Sequence, residues 1–249
     1  MAAIGHEIVR MDEVVSTNSL VMGRQDYLER HGLVVLARHQ TGGRGRMGRH
    51  WVSVPGHQLQ FSVVVHPAFP ATDFPVVSLL SGLAVAQAIE QQLGLSPRLK
   101  WPNDVMLSGR KVCGILVEGA SAGRRPRLVV GIGINCLGGA EDFPVELRDR
   151  LTTLALEAGR PVDMEALLQA VLARIEALCG RMADGGKAEV LALWREHALL
   201  GAGERLRIPT QEGEREGVPE GITPEGYLIV RLPDGSRRVH VSGELEWLR

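Results

Sequence analysis

The segment running from Asp73 to Leu93 restricts the fold more than any other part of the 249-residue chain. Asp73-Phe74-Pro75 reads as a helix start, with Asp73 a candidate cap and Pro75 tolerated in the first turn. A long apolar helix pattern continues from there. Its most apolar part, residues 76–89, is interrupted by Ser78, Ser81 and Gln87 and falls short of the roughly 20 residues that a membrane span needs. The expected element is therefore a helix laid against a sheet, with no membrane partner. Strand-forming runs flank it at residues 33–37 and 59–65 on one side and at 98–101, 105–107, 112–118 and 127–135 on the other, the later ones separated by turn signals at Pro102-Asn103-Asp104 and Ser108-Gly109. The later runs read as an antiparallel meander.

Further helices are expected after Ser16-Thr17-Asn18-Ser19, reaching about residue 30, over 144–158 up to Gly159, over 163–182, and over 188–199. In the third of these Leu167, Leu168, Val171, Leu172, Ile175 and Leu178 make one apolar face. The pattern then changes. Leu206 and Ile208 alternate with charged residues, 227–232 is strand-like, Pro233-Asp234-Gly235-Ser236 is a hairpin signal, and Val239, Val241, Leu245 and Trp247 fall into further short strands. The chain thus divides into a main unit, 1–200, and a small all-β unit, 201–249, too short to be stable alone and expected to lean on the first.

Charge and composition exclude several classes. With 28 basic and 29 acidic residues there is no bulk field for a polyanion, and aromatic residues make up only 4%, too few for a base-stacking platform, so DNA is not an expected partner. The N-terminus carries no secretion signal, and the three cysteines, Cys113, Cys136 and Cys179, lack metal-ligand or disulfide spacing, which suits reduced thiols in a cytoplasmic protein. No HExxH pair and no GxSxG elbow occur, so neither a protein-held metal nor a serine nucleophile is expected.

Two constellations carry chemistry. In the loop 39–51 three arginines, Arg44, Arg46 and Arg49, stand among four glycines and end at Trp51. Glycine lets backbone N–H groups approach an anion and guanidinium forks grip phosphate or carboxylate oxygens, while the indole suits a planar group such as adenine. Residues 43–48 satisfy GxGxxG, but no helix pattern succeeds them, so a dinucleotide site is not implied. The second constellation is Lys100-Trp101-Pro102-Asn103-Asp104 followed by Lys111-Val112-Cys113-Gly114-Ile115. Only three of the basic residues are lysines, Lys100, Lys111 and Lys187, and two fall here, so a compact ammonium is wanted where Asp104 can face Lys111 across a hairpin. Farther on, Gly131-Ile132-Gly133-Ile134-Asn135 ends an apolar strand in alternating glycines, which leaves room for a ligand or for a close crossing of another element.

In order and spacing, Ser16-Thr17-Asn18, Gln40, the loop Gly43 to Arg49 with Trp51, Lys100 to Asp104, Lys111 to Glu118 and Gly131 to Asn135 resemble the biotin protein ligases over nearly the whole chain. The resemblance implies an α+β fold with a mixed central sheet and flanking helices, of the class II synthetase and biotin–lipoate ligase type, plus an SH3-like C-terminal β-barrel. The units 1–200 and 201–249 become a catalytic domain and an SH3-like domain. It implies a reaction in two steps: biotin and ATP give biotinyl-5′-AMP and pyrophosphate, and a lysine of a biotin carboxyl carrier protein then takes the biotinyl group. Mg²⁺ would accompany ATP, with no dedicated protein ligands.

By the same resemblance Ser16, Thr17, Asn18, Gln40, Gly43, Arg44, Lys111, Gly114 and Ile115 would face biotin. Arg44, Arg46, Arg49, Trp51, Asn103, Lys111 and Asn135 would attend ATP. Lys111, Arg46 and Asp104 would carry the chemistry: Lys111 bridging the biotin carboxyl and the α-phosphate, Arg46 retaining the adenylate, Asp104 orienting or deprotonating the acceptor lysine. Met47 stands where many relatives carry a polar or basic residue and is left outside the site. The catalytic pattern starts almost at Met1, so a DNA-binding repressor domain is not expected, while pairing of two copies through the central domain is. Two alternatives stay open on the residues alone: a lipoyl or octanoyl ligase or transferase of the same superfamily, and a non-catalytic biotin- or nucleotide-binding sensor.

Overall fold

Seven strands form the central sheet: β1 (Glu7–Val14), β2 (Leu33–Gln40), β3 (Gln58–Val65), β4 (Arg98–Lys100), β5 (Asp104–Leu107), β6 (Arg110–Ala122) and β7 (Arg125–Asn135). They appear in a computed structural model that describes residues 2–122, 125–210, 213–241 and 245–248. The spatial order is β1-β2-β3-β7-β6-β5-β4, with β1 parallel to β2 and every other pair antiparallel. The expected mixed sheet and meander are therefore present. Ser108 and Gly109 turn β5 into β6 with positive φ at both (49° and 74°), the geometry that a two-residue hairpin needs. Strand β1 has no counterpart among the expected strands. Its residues EIVRMDEV mix charges with apolar side chains because it lies half-exposed at the sheet edge, so no apolar run marks it.

The helices are α1 (Thr17–Met22), α2 (Gln25–Leu28), α3 (Phe74–Leu93), α4 (Leu154–Ala158), α5 (Met164–Ala183) and α6 (Lys187–His197). Helix α3 is the expected long apolar helix, closed by Gly94 at φ 69°. It is long and apolar enough to cross a bilayer, but 72% of its most apolar window is buried between the sheet and α5 and α6. Gly82 lies on its buried side, where a Cβ would make ordinary contact with Leu99 Cδ2 at 3.5 Å. Asp73 sits at the N-cap position without capping; its carboxylate instead accepts from Lys187 Nζ at 2.7 Å, because the preceding 3-10 turn aims it sideways.

Two expected helices are broken. The one after Ser16 splits at Gly23-Arg24 into α1 and α2, since Arg24 adopts an extended backbone. The one over 144–158 reduces to a 3-10 turn, Val145–Leu147, and the short α4. Between them Leu151 pairs with Lys111 as an isolated bridge, and Thr153 caps α4 by accepting from the Leu156 N–H. Pairing with a strand and the β-branched Thr152-Thr153 step outweigh the helical propensity of the flanks.

The last five strands, β8 (Arg205–Thr210), β9 (Gly213–Ile222), β10 (Leu228–Arg231), β11 (Arg237–His240) and β12 (Glu246–Leu248), form a separate antiparallel sheet in the order β11-β10-β9-β8-β12. Its inner side chains Leu206, Ile208, Ile222, Leu228 and Val230 join the same apolar core as α3. Two polar ties cross over: Trp101 Nε1 donates to the Gly226 carbonyl at 2.9 Å and Arg195 Nη2 to the Ile222 carbonyl at 3.0 Å. The Trp101→Phe substitution keeps an aromatic ring and removes the donor, leaving a buried carbonyl unpaired. Urea unfolding should show a loss of about 1–3 kcal/mol.

Candidate active site

Alternation along the central strands gives the sheet two chemically different faces. On one face Leu59, Phe61 and Val63 of β3 stand beside Ile134, Ile132 and Val130 of β7 and join the apolar core that also holds α3. On the other, cross-strand partners bring Gln58 to Asn135, Gln60 to Gly133, Ser62 to Gly131, then Gly133 to Gly114, Gly131 to Leu116, and Gly114 to Asp104, with Lys100 opposite Asp104 at the edge. This polar, glycine-bearing face is the floor of a cavity of about 180 Å³.

Helix α1 roofs one end of it. Ser16, Thr17 and Asn18 are all buried, and each finds a partner below or beside it. The Thr17 N–H and hydroxyl reach Gln40 Oε1 at 2.8 and 3.2 Å, and Ser62 Oγ lies 2.7 Å from Thr17 Oγ1 and 2.5 Å from Asn18 Oδ1. Gln40 Nε2 donates to Gln60 Oε1, and Gln60 Nε2 to Ser53 Oγ. Each such bond contributes about 1 kcal/mol net, and the larger effect is that breaking one leaves its partner buried and unpaired. The network therefore fixes the orientation of every polar head at this end.

The arginine-glycine loop closes the other side as an ordered hairpin. Gly45 N–H donates to Arg49 O at 2.6 Å, Trp51 N–H to Gly43 O at 2.9 Å, and Arg44 bridges His50. Gly43 itself does not line the cavity; it is needed because a Cβ there would stand 2.7 Å from Trp51 O. Met47, left outside the site on sequence grounds, has φ 56° and ψ 36° and points an exposed side chain at the cavity mouth. The short 3-10 turn Arg46–Gly48 leads into extended chain, so the GxGxxG match opens no helix.

Beneath the loop, the space above the bare strand belongs to protein side chains. The Trp51 ring covers Gly133, where a Cβ would meet it at 2.5 Å, and the Asn18 amide covers Gly131 more closely still. These glycines thus serve a close crossing as well as lining the cavity floor. The Trp51 Nε1–H is buried with no acceptor among the described residues.

Lys111 and Asp104 meet with Nζ and Oδ1 2.6 Å apart. The two are not cross-strand partners. A register shift between Val105 and Met106 puts Lys111 opposite Met106, and the Lys111 side chain then passes over Gly114, whose Cβ would be 3.0 Å from Nζ. Arg46 is also half-buried here; burial lowers its pKa, with Asp104 opposing and Arg49 adding to the shift, and a guanidinium stays charged at neutral pH nonetheless. The Arg44 Nη2 reaches Glu118 Oε2 at 2.7 Å, and the same carboxylate accepts from Asn18 Nδ2 at 2.8 Å.

Of the residues assigned from sequence, Ser16, Thr17, Asn18, Gln40, Arg44, Arg46, Arg49, Trp51, Asn103, Asp104, Lys111, Gly114 and Ile115 line this one cavity. Asn135 does not: it is buried, accepting from Gln58 Nε2 at 2.8 Å and donating to Thr152 O at 3.2 Å. Asn103 exchanges two bonds of 2.9 Å with the Ile115 backbone, so it also braces the floor. Sequence reasoning missed Gln60, Ser62 and Glu118, although the Gln-Leu-Gln-Phe-Ser alternation of β3 marks a polar face, and it missed Trp247 of β12 and its near neighbour Leu245 at the cavity. Lys100 Nζ lies 5.3 Å from the Trp247 ring centroid. The cysteines stand apart from this chemistry: burial raises all three thiols, Cys136 and Cys179 to about 12. Among the described residues no group of three His, Cys, Asp or Glu side chains converges on a metal position.

Residues 14–135 match the model of the biotin/lipoate A/B protein ligase family, and residues 202–246 match that of the biotin protein ligase C-terminal domain. The chain is 33% identical over 244 residues to the bifunctional ligase/repressor BirA of Bacillus subtilis, covering 98% of this chain and 74% of that protein. It is 35% identical over 205 residues to the biotin–[acetyl-CoA-carboxylase] ligase of Paracoccus denitrificans, covering 81% and 85%. Its fold superposes on the biotin protein ligase of Aquifex aeolicus, solved with biotin and ATP, with a TM-score of 0.84 and 30% identity over 98% of this chain and 99% of that one.

The crossing of Trp51 over Gly133 yields a direct check. In Gly133→Ala the added methyl must push the indole off the floor. Tryptophan fluorescence should shift in the unliganded protein, and an unchanged spectrum would mean that the indole does not rest on the strand.

Proposed function

The chain belongs to the biotin protein ligase family, and from that premise we propose how its cavity performs the reaction. The protein is a ligase that uses ATP to activate biotin as biotinyl-5′-AMP, releasing pyrophosphate, and then passes the biotinyl group to a lysine of an acceptor protein. We assign the acceptor as the biotin carboxyl carrier domain of a biotin-dependent carboxylase, in the cytoplasm, and the working form as a homodimer. The catalytic domain spans 1–200 and the SH3-like domain 201–249.

One observation carries the assignment of roles: the Lys111–Asp104 pair and Arg46 converge on the cavity whose far end is the Thr17–Gln40–Asn18 network. The network supplies fixed donors and acceptors for a ureido ring, and the Ile115 and Gly114 backbone lines the path of the aliphatic chain. Its carboxylate then lies toward Lys111. An ammonium between that carboxylate and the α-phosphate neutralises both anions as they meet, and its three donors reach oxygens of each. Pyrophosphate leaves from the side of Arg44, Arg46 and Arg49, while Trp51 offers the nucleotide a flat face. Mg²⁺ enters as part of the ATP substrate.

Arg46 then keeps the mixed anhydride in place. In the second step the acceptor amine attacks the anhydride carbonyl, AMP departs, and the amine's proton passes to Asp104. Release of the Lys111 ammonium from Asp104 towards phosphate in the first step frees that carboxylate for the second.

Purified protein incubated with Mg-ATP and, separately, biotin, lipoate or octanoate should give acyl-adenylate and pyrophosphate with biotin alone, read by mass spectrometry. In Lys111→Ala the single-turnover rate of adenylate formation should fall by a factor of about 10²–10³, the effect of removing one preorganised charge-stabilising donor. Arg46→Ala should form adenylate and lose it to solvent. Wild-type rates and retention in both variants would refute these roles.

A further inference from the structure

The Lys111 backbone is held from outside its hairpin. Its N–H donates to the Arg150 carbonyl at 2.8 Å and its carbonyl accepts from the Thr152 N–H at 3.0 Å, so residues 150–152 form a one-residue parallel bridge against the start of β6. That segment lies between a 3-10 turn and α4 and has no ladder of its own. A single carboxylate steadies it. Glu157, in α4, accepts from Thr152 Oγ1 at 2.6 Å and Arg110 Nη2 at 2.9 Å on Oε1, and from Ser108 Oγ at 2.6 Å on Oε2.

Those three donors are a residue whose N–H bonds to the Lys111 carbonyl in the bridge, the neighbour of Lys111 in sequence, and the turn residue that starts the hairpin. The Glu157 side chain is only 10% exposed, against 37% for Arg110, so the cluster is not a solvated surface pair. Burial pushes its carboxyl up, and the hydrogen bonds from Ser108, Thr152 and Arg110 together outweigh that and hold it below the usual glutamate range. It is thus an anion at neutral pH. From the sheet side, Asn135 Nδ2 donates to the Thr152 carbonyl, completing the brace.

We propose that Glu157 is a positioning residue for the first step: by tying Ser108, Arg110 and Thr152 to one carboxylate it fixes the backbone from which Lys111 reaches the reacting oxygens. It is not among the residues that line the cavity. The inference rests on the role of Lys111 in the proposed adenylation. Glu157→Gln keeps the shape but removes the charge-assisted acceptor for Arg110 and replaces one oxygen by a donor. Displacement of a reacting group by about 1 Å lowers rates by up to about a hundredfold.

The test is a pair of comparisons of single-turnover adenylate formation, normalised to active sites by bound biotin. In the otherwise wild-type chain, Glu157→Gln should lower the rate by about tenfold or more with biotin affinity unchanged, and the buried isostere Thr152→Val should act in the same direction. In the Lys111→Ala background, Glu157→Gln should change the rate by less than about twofold, because no ammonium is left to place. Equal losses in both backgrounds would make the carboxylate a merely structural brace and overturn the proposal. A full rate in Lys111→Ala alone would remove the role of Lys111 and this proposal together, an outcome distinct from the additive one. Thr152→Val keeps the question answerable if Glu157→Gln does not fold.

Discussion

The site depends on a sheet whose two faces obey opposite requirements at the same residues' spacing. β3 and β7 must present apolar side chains to the core they share with α3, a helix that is apolar on nearly all sides and lies against β4, β5 and β6. Period-two alternation then frees every other position on those strands for chemistry. There the chain places Gln60, Ser62, Gly131 and Gly133 on neighbouring strands, with Gly114 beside them on β6. Small or hydrogen-bonding residues are the ones that can lie beneath α1 and Trp51 without filling the cavity. A larger side chain at 131 or 133 collides with Asn18 or Trp51, so the floor and the roof constrain one another.

Electrostatics is arranged on that floor as exchangeable pairs. Without substrate the cations are matched to protein carboxylates, Lys111 to Asp104 and Arg44 to Glu118, both only partly shielded from water. Phosphate is a stronger partner than carboxylate for such groups because it offers more oxygens and more charge. In the proposed reaction, substrate binding substitutes one anion for another at these cations.

The second sheet takes part through contact more than through chemistry. Trp247 stands over Lys100 at the cavity edge, and Trp101, within the Lys-Trp-Pro-Asn-Asp string, reaches the Gly226 carbonyl beside the same sheet. The string that supplies Asp104 is thus also the seam between the two sheets. A shared apolar core behind it keeps the seam closed.

Much of this was legible in the chain itself. Local chemistry determined α3, the meander, the Ser108-Gly109 turn and the loop of glycines and arginines, because each rests on nearest-neighbour propensities or on residue types that few other roles use. The facing of Asp104 and Lys111 came from hairpin spacing, though the register shift that completes it did not. Strand β1 was hidden because an exposed edge carries no apolar signature, and the helix expected over 144–158 gave way to a bridge with Lys111 that propensity cannot anticipate. Asn135, expected to attend ATP, lies off the cavity lining with its amide bonded to Gln58 and Thr152 on other elements, an arrangement that no local pattern records. The sequence by itself determined which side chains the chemistry has available; only the tertiary structure decided which of them meet, because long-range pairing brings Glu118 to Arg44, Trp247 to Lys100 and Glu157 to Ser108 across separations that no local pattern records.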